Sequence, residues 1–281
     1  MMAMAGAKCI FCGGQAAATT EEHCPPRSLF RGRAWPEGFA FPSCAPCNNG
    51  TSDEDLLVQL MASMQPDPDD ALLKRFNGLM YQVNNQYPGL LRRMAQRSVA
   101  EARQMARELG VKPPPGSVHQ DLSVVKVTRE MHDAVAVLAN KLSKAIYFIH
   151  EQKVFPSEGE IAFHWFTNAE LLKHGSIPAL EALKSLHRIG TPLKRNGKDL
   201  KDQFDYEYSH GDGYHVAQVI FGKVFGFVTF FNPNPGTVGA LLQRMREKSG
   251  KSSGPFQLLQ PNEEQAATAP IEASNRDEAA R

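Results

Sequence analysis

Four of the five cysteines stand in two tight pairs, Cys9-Ile10-Phe11-Cys12 and Cys44-Ala45-Pro46-Cys47, with 31 residues between them. A thiolate pair separated by two residues can close on one ion. Two such pairs supply the four sulfurs of a tetrahedral zinc site with no open position, which makes the expected Zn2+ structural rather than catalytic. All five cysteines fall within the first 47 residues. A disulfide framework would spread along a secreted chain and would prefer an even count. The fifth, Cys24, reads as a small buried side chain rather than another ligand. In so short a segment with few apolar residues, metal binding is expected to supply most of the folding energy.

Between the pairs lies Glu21-Glu22-His23-Cys24-Pro25-Pro26-Arg27, and Asn48 follows Cys47 directly. Phosphodiester hydrolysis needs a base for water, a metal to stabilise charge on the phosphate, and cations to hold the strand. His23 has the pKa range of a base. Glu22 and Asn48 offer hard oxygens suited to Mg2+ or Mn2+ rather than zinc. Arg27, Arg31 and Arg33 follow within ten residues of His23 and are candidates for nucleic-acid contact through phosphates.

In this order (Cys-x-x-Cys, acidic-His, Cys-x-x-Cys-Asn) the segment resembles the ββα-metal fold of HNH endonucleases, in the subset with a four-cysteine zinc knuckle. The resemblance covers roughly residues 7 to 60. It implies that Cys9, Cys12, Cys44 and Cys47 hold zinc, that His23 is the general base, and that Glu22 and Asn48 bind the catalytic Mg2+ or Mn2+. The family usually carries Asp where this chain has Glu22.

Other readings of the same residues stay open. His23 is also a candidate zinc ligand or a surface residue, and Asn48 a helix cap or turn residue beside Asn49-Gly50. The other eight histidines, His150 and His164 among them, read as packing or surface residues. Tyr206, Tyr208, Tyr214, Phe221 and Phe225 fit sheet-core packing better than base stacking.

The elements that must position these groups follow from the pattern around them. Residues 1 to about 52 are rich in Cys, Gly, Pro and aromatics, which suits short strands and turns. Thr51 or Ser52 can cap a helix that carries Asp53, Glu54 and Asp55 in its first turn and Leu56, Leu57 and Leu60 on one face, with Pro66 and Pro68 stopping it. Residues 69 to 110 read as helical, and Pro113-Pro114-Pro115-Gly116 as a stiff linker. Beyond it, a strand is expected over Leu122–Val127. A strong helix is expected over Met131–His150, with Val135, Leu138, Leu142, Ile146 and Ile149 on one side. Then come a strand over Ile161–Phe166, one or two helices over Ala169–Ile189, and strands around Phe204–Tyr208, Tyr214–Phe221 and Val224–Phe231. From about Gly250 the composition is that of a disordered tail.

The fold class is therefore α+β. A small zinc-bound ββα-metal module (residues 1-60) leads into a helical segment (61-112), an accessory α+β domain with an antiparallel sheet (117-248) and the tail (249-281).

A net charge of +1 and 42% hydrophobic residues are ordinary for a globular protein. No apolar run reaches the ~20 residues of a membrane span, and the N-terminus lacks a signal-peptide pattern. A cytoplasmic, membrane-free location is the expectation. Local basic stretches lie at Arg92, Arg93, Arg97, Arg103 and Arg107 and between Lys184 and Lys201. The resulting reading is a metal-dependent endonuclease acting on DNA, double-stranded by preference. By analogy of architecture it serves anti-phage defence, with other defence proteins as partners of the C-terminal domain. The alternatives are a non-catalytic treble-clef-type zinc module that binds nucleic acid or protein, and a zinc-stabilised scaffold whose C-terminal sheet binds a small ligand.

Overall fold

Strand β1 (Thr20–His23) pairs antiparallel with β2 (Ala40–Ser43), setting Glu21 opposite Pro42, Glu22 opposite Phe41 and His23 opposite Ala40. The short helix α1 (Ala45–Asn49) follows at once, with Pro46 in its first turn where a missing N–H leaves no bond unmade. These elements belong to a computed structural model that describes residues 6–65, 68–95, 98–108, 125–170, 189–190, 192–211, 213–249 and 255–259.

Helix α2 (Ser52–Ala62) buries Leu56, Leu57, Val58, Leu60 and Met61. Helices α3 (Asp70–Gln86), α4 (Leu90–Ala95) and α5 (Val99–Glu108) occupy the stretch expected to be helical. Asp69 caps α3 by accepting from the Leu72 N–H at 2.7 Å. Helix α6 (Arg129–Glu151) is the longest, capped by Thr128 at its start and by left-handed Gln152 at its end. Its expected apolar side is inward, with Val135, Leu142 and Ile146 fully buried.

Six strands form one antiparallel sheet. In spatial order they are β10 (Gln257–Leu259), β3 (Glu160–Thr167), β9 (Phe225–Asn232), β8 (Tyr214–Phe221), β7 (Asp205–Gly211) and β4 (Ile189–Gly190). Lys194–Arg195 (β5) and Lys198–Asp199 (β6) make a separate small hairpin. Both sheet faces are covered, which explains why β9 is apolar almost throughout. Phe225, Phe227 and Phe231 join the core that includes α6, while Val228 and the partly buried Phe230 belong to a second core with Val238 and Leu242 of α7 (Thr237–Ser249). Mixed helix and antiparallel sheet is the expected class.

Three expectations are corrected. The boundaries at 60 and 117 do not divide the core, because one buried cluster runs from Cys9 through α2 and α6 to Phe231. Rings of the N-terminal segment pack against distant ones, Phe41 on Phe148 with centroids 6.3 Å apart and Phe39 on Tyr206 at 5.8 Å. The segment is thus not reliant on metal alone for its apolar contacts. Gly13, at φ +69° in the Cys12-Gly13-Gly14 turn, approaches Ser157 so closely that a Cβ there would lie 2.4 Å from the Ser157 nitrogen, so only glycine fits.

Of the strand expected over Leu122–Val127, residues 122–124 lie outside the described residues and 125–127 form no strand; Val125 and Val127 are exposed, and the Lys126 N–H donates to the Met94 carbonyl. The third correction is at the tail, where Gln257–Leu259 adds an edge strand to β3 and Phe256 is buried. The helices expected over Ala169–Ile189 fall largely on residues 171–188, outside the described residues; Ile189 itself pairs with Tyr208.

Candidate functional site

The hairpin and α1 bring the four cysteines together. One ligand atom from each of Cys9, Cys12, Cys44 and Cys47 lies within 4.8 Å of the others, and Cys9, Cys44 and Cys47 are buried. Zinc–sulfur bonds of ~2.3 Å set sulfur–sulfur edges of about 3.8 Å, a spacing compatible with that limit. A hydrogen bond from the Cys47 thiol holds Cys9 down at about 4. The same contact pushes Cys47 up, while burial raises Cys44. The Lys144 ammonium donates to the Phe11 carbonyl at 2.8 Å. Burial lowers its pKa, and nearby Cys47, Cys12 and Cys9 oppose that shift. A cation beside an anionic tetrathiolate is the outer-shell neutralisation such a centre needs. The residues fit a structural zinc. Cys24 stands outside the cluster, fully buried, its thiol raised by burial.

His23 ends β1 half-buried, with the Trp35 ring edge-on at 4.6 Å. Its pKa is lowered, first by burial and then by Arg27, with Glu21 opposing and Arg195 and Arg33 adding to the shift. The shift favours the neutral imidazole, the form that accepts a proton. Asn48 donates through Nδ2 to the Glu21 carbonyl at 3.5 Å, a contact that ties the start of the helical region to β1.

Glu22 and His23 lie on different faces of β1. Successive strand side chains point to opposite faces, and β1 alternates accordingly: Glu21 exposed, Glu22 buried, His23 half-exposed. The Glu22 carboxylate is paired with the Lys141 ammonium of α6. Lys141 also donates to the Cys47 carbonyl at 3.1 Å and to Thr51 Oγ1 at 2.8 Å. Burial raises Glu22 to about 7 even though Lys141 pulls it down. Thr51 does precede α2 as expected, but makes no side-chain capping bond to the helix. The acidic group on the face of His23 is Glu21.

The three arginines separate. Arg27 lies over Trp35, its guanidinium carbon 4.9 Å from the ring centroid, and Arg33 is exposed near His23. Arg31 turns away: its guanidinium pairs with Asp202 at 3.2 Å, and its backbone N–H donates to the Gln203 side chain. The place of Arg31 is taken by Arg195, 3.9 Å over Trp35. Asn196 and Gly197 at φ 50° and 78° form the tight turn of the β5–β6 hairpin that carries Arg195 there. Trp35, Arg195, Glu21 and Lys141 escaped the sequence reading. For Glu21 the signal was available in strand parity; for Arg195 and Lys141 it lay in long-range packing.

Tyr206, Tyr208, Phe221 and Phe225 are buried in the sheet, while Tyr214 is partly exposed. The chain matches no protein-family model, no curated protein and no solved structure. No helix among the described residues is long and apolar enough to cross a membrane.

Proposed function

We propose that the N-terminal module is a metal-dependent phosphodiester hydrolase of HNH type, acting on DNA, with His23 as general base. The observation that carries this reading is the surroundings of His23: an imidazole at the end of a ββα hairpin, flanked by Arg27, Arg33, Arg195 and Trp35. Cations ordered on Trp35 hold the strand, and the imidazole takes the proton of the attacking water. Glu21 and the Oδ1 of Asn48 are the oxygen donors on that face for Mg2+ or Mn2+, whose chemistry is to stabilise charge on the phosphate. Glu22 is left to hold α6.

A second reading, a non-catalytic module that binds nucleic acid, is favoured by one observation: the acidic residue directly before His23 is committed to Lys141. Plasmid nicking with Mg2+, Mn2+ or EDTA, run on wild type and His23→Ala, separates the two. Hydrolysis predicts metal-dependent nicking that falls by about two to four orders of magnitude in the variant, with zinc content and DNA affinity unchanged. Binding without nicking in any metal selects the second reading.

A further inference from the structure

The β7–β8 hairpin and the end of α6 gather a second set of ligating groups. His210 and His215 face each other across the β7–β8 hairpin. Glu151, the last residue of α6, lies beside them. One ligand atom from each of the three lies within 4.8 Å of the others. The Glu151 Oε1 is 3.6 Å from His210 Nδ1 and 3.8 Å from His215 Nδ1.

Those separations are too long for hydrogen bonds. They are close to the edge of about 3.4 Å that a tetrahedral ion with bonds of ~2.0–2.1 Å sets between nitrogen and oxygen ligands. The two imidazoles stack with centroids 4.1 Å apart and planes 16° apart, and a nitrogen of each lies within 3.8 Å of the same carboxylate oxygen.

The rings are held before any ion arrives. His215 is buried between the edge of Tyr147 at 5.0 Å and the face of Phe231 at 5.4 Å. Tyr208 is clamped by His150, stacked on it at 4.1 Å. Its hydroxyl donates to Glu151 Oε1 at 2.6 Å and lies 2.7 Å from His215 Nδ1. The hydroxyl proton goes to Glu151, so His215 Nδ1 is the donor to Tyr208; an ion takes this nitrogen once that proton has moved to Nε2, while the Tyr208–Glu151 bond persists as the outer-shell contact that orients a ligating carboxylate.

We infer that Glu151, His210 and His215 form a second metal site, for a borderline divalent cation of the zinc class, separate from the tetrathiolate. Two imidazoles and one carboxylate suit Zn2+ or Co2+ rather than Mg2+ or Ca2+. Three protein ligands leave a coordination position, and the half-exposed His210 places the site at the surface, where water or a donor atom of a small ligand can take it.

The test uses the full chain. Zinc is titrated calorimetrically into wild type, Cys47→Ser, His210→Ala and Glu151→Gln, and cobalt is substituted in parallel. A wild-type chain should take two equivalents. One is lost in Cys47→Ser; the other is weakened at least tenfold in His210→Ala and Glu151→Gln. With cobalt, the His210-dependent equivalent should give visible ligand-field bands without the near-ultraviolet charge transfer of thiolate ligation. His210 is at the surface, so unchanged thermal unfolding of the metal-free variant shows that its loss is local. A single equivalent that ignores His210, or a second one that both variants bind as tightly as wild type, overturns the site.

Discussion

Glu22 and Lys141 are joined across 119 residues of chain, and the pair sits against the Cys47 carbonyl and the Thr51 hydroxyl. The residue that sequence order sets beside the candidate base is thereby a clasp between the hairpin and the longest helix. Both side chains are nearly enclosed, at 6% and 12% exposure, so a lost partner leaves a buried charge rather than a hydrated one.

Lys141→Met should therefore raise the Glu22 pKa further and destabilise the chain by up to about 3–5 kcal/mol at alkaline pH, where the buried carboxylate loses the cation that favours its charged form. Glu22→Gln combined with Lys141→Met should recover most of that loss. Urea unfolding of the two single variants and the double gives the coupling, and independent single effects would show that the pair is not a clasp.

Stability should also depend on pH in a defined direction. Burial raises Glu22 to about 7 and Asp55 to about 6, so the folded chain keeps these protons after the unfolded chain has released them. The unfolded state then binds fewer protons, and stability falls as pH rises through that window. It levels off above about 7. Denaturation midpoints from pH 5.5 to 8 should trace this fall, and Glu22→Gln should flatten it.

Catalysis, if His23 is the base, should follow strand parity. Glu21→Gln should lower the nicking rate with little change in the unfolding midpoint, because Glu21 is exposed. Glu22→Gln should act through stability and leave the rate per folded molecule near wild type. The reverse assignment in a metal-saturation series would return the ligand role to Glu22.

DNA affinity should respond unequally to the arginines. Arg27→Ala with Arg195→Ala should reduce the log–log salt slope by about two units, one for each phosphate contact. Arg31→Ala should leave it unchanged, since Arg31 already pairs with Asp202. Fluorescence anisotropy at several salt concentrations without catalytic metal reads both.

Cys47→Ser should lose the zinc and lower the unfolding transition of the whole chain, not of the first sixty residues alone. Phe11, Phe39 and Phe41 share one core with α6 and the sheet. Elemental analysis together with near-ultraviolet circular dichroism checks this, and a preserved aromatic signal after metal loss would separate the two parts.

What the sequence made legible was what local spacing or period encodes. The cysteine pairs, the α6 periodicity and the alternation of Phe204, Tyr206 and Tyr208 are such signals. The inward turn of Glu22 was not read, because the face of β1 that is covered depends on Lys141, far along the chain. The N-terminal rings looked too few for a core, since their partners Phe148, Phe204 and Tyr206 lie in later elements. His210 and His215 read as unremarkable histidines until the hairpin register set them opposite each other.

The short strand β10 has a practical bearing on where the chain can be cut. Composition invites an expression boundary near residue 249, yet Gln257–Leu259 covers the outer edge of β3 and Phe256 fills the core beneath α7. Removing them bares the unpaired amides of Ile161–Phe163 beside an apolar gap, the kind of edge to which another chain adds itself. A truncation at 249 should precipitate or self-associate on concentration, whereas one at 260 should remain monodisperse.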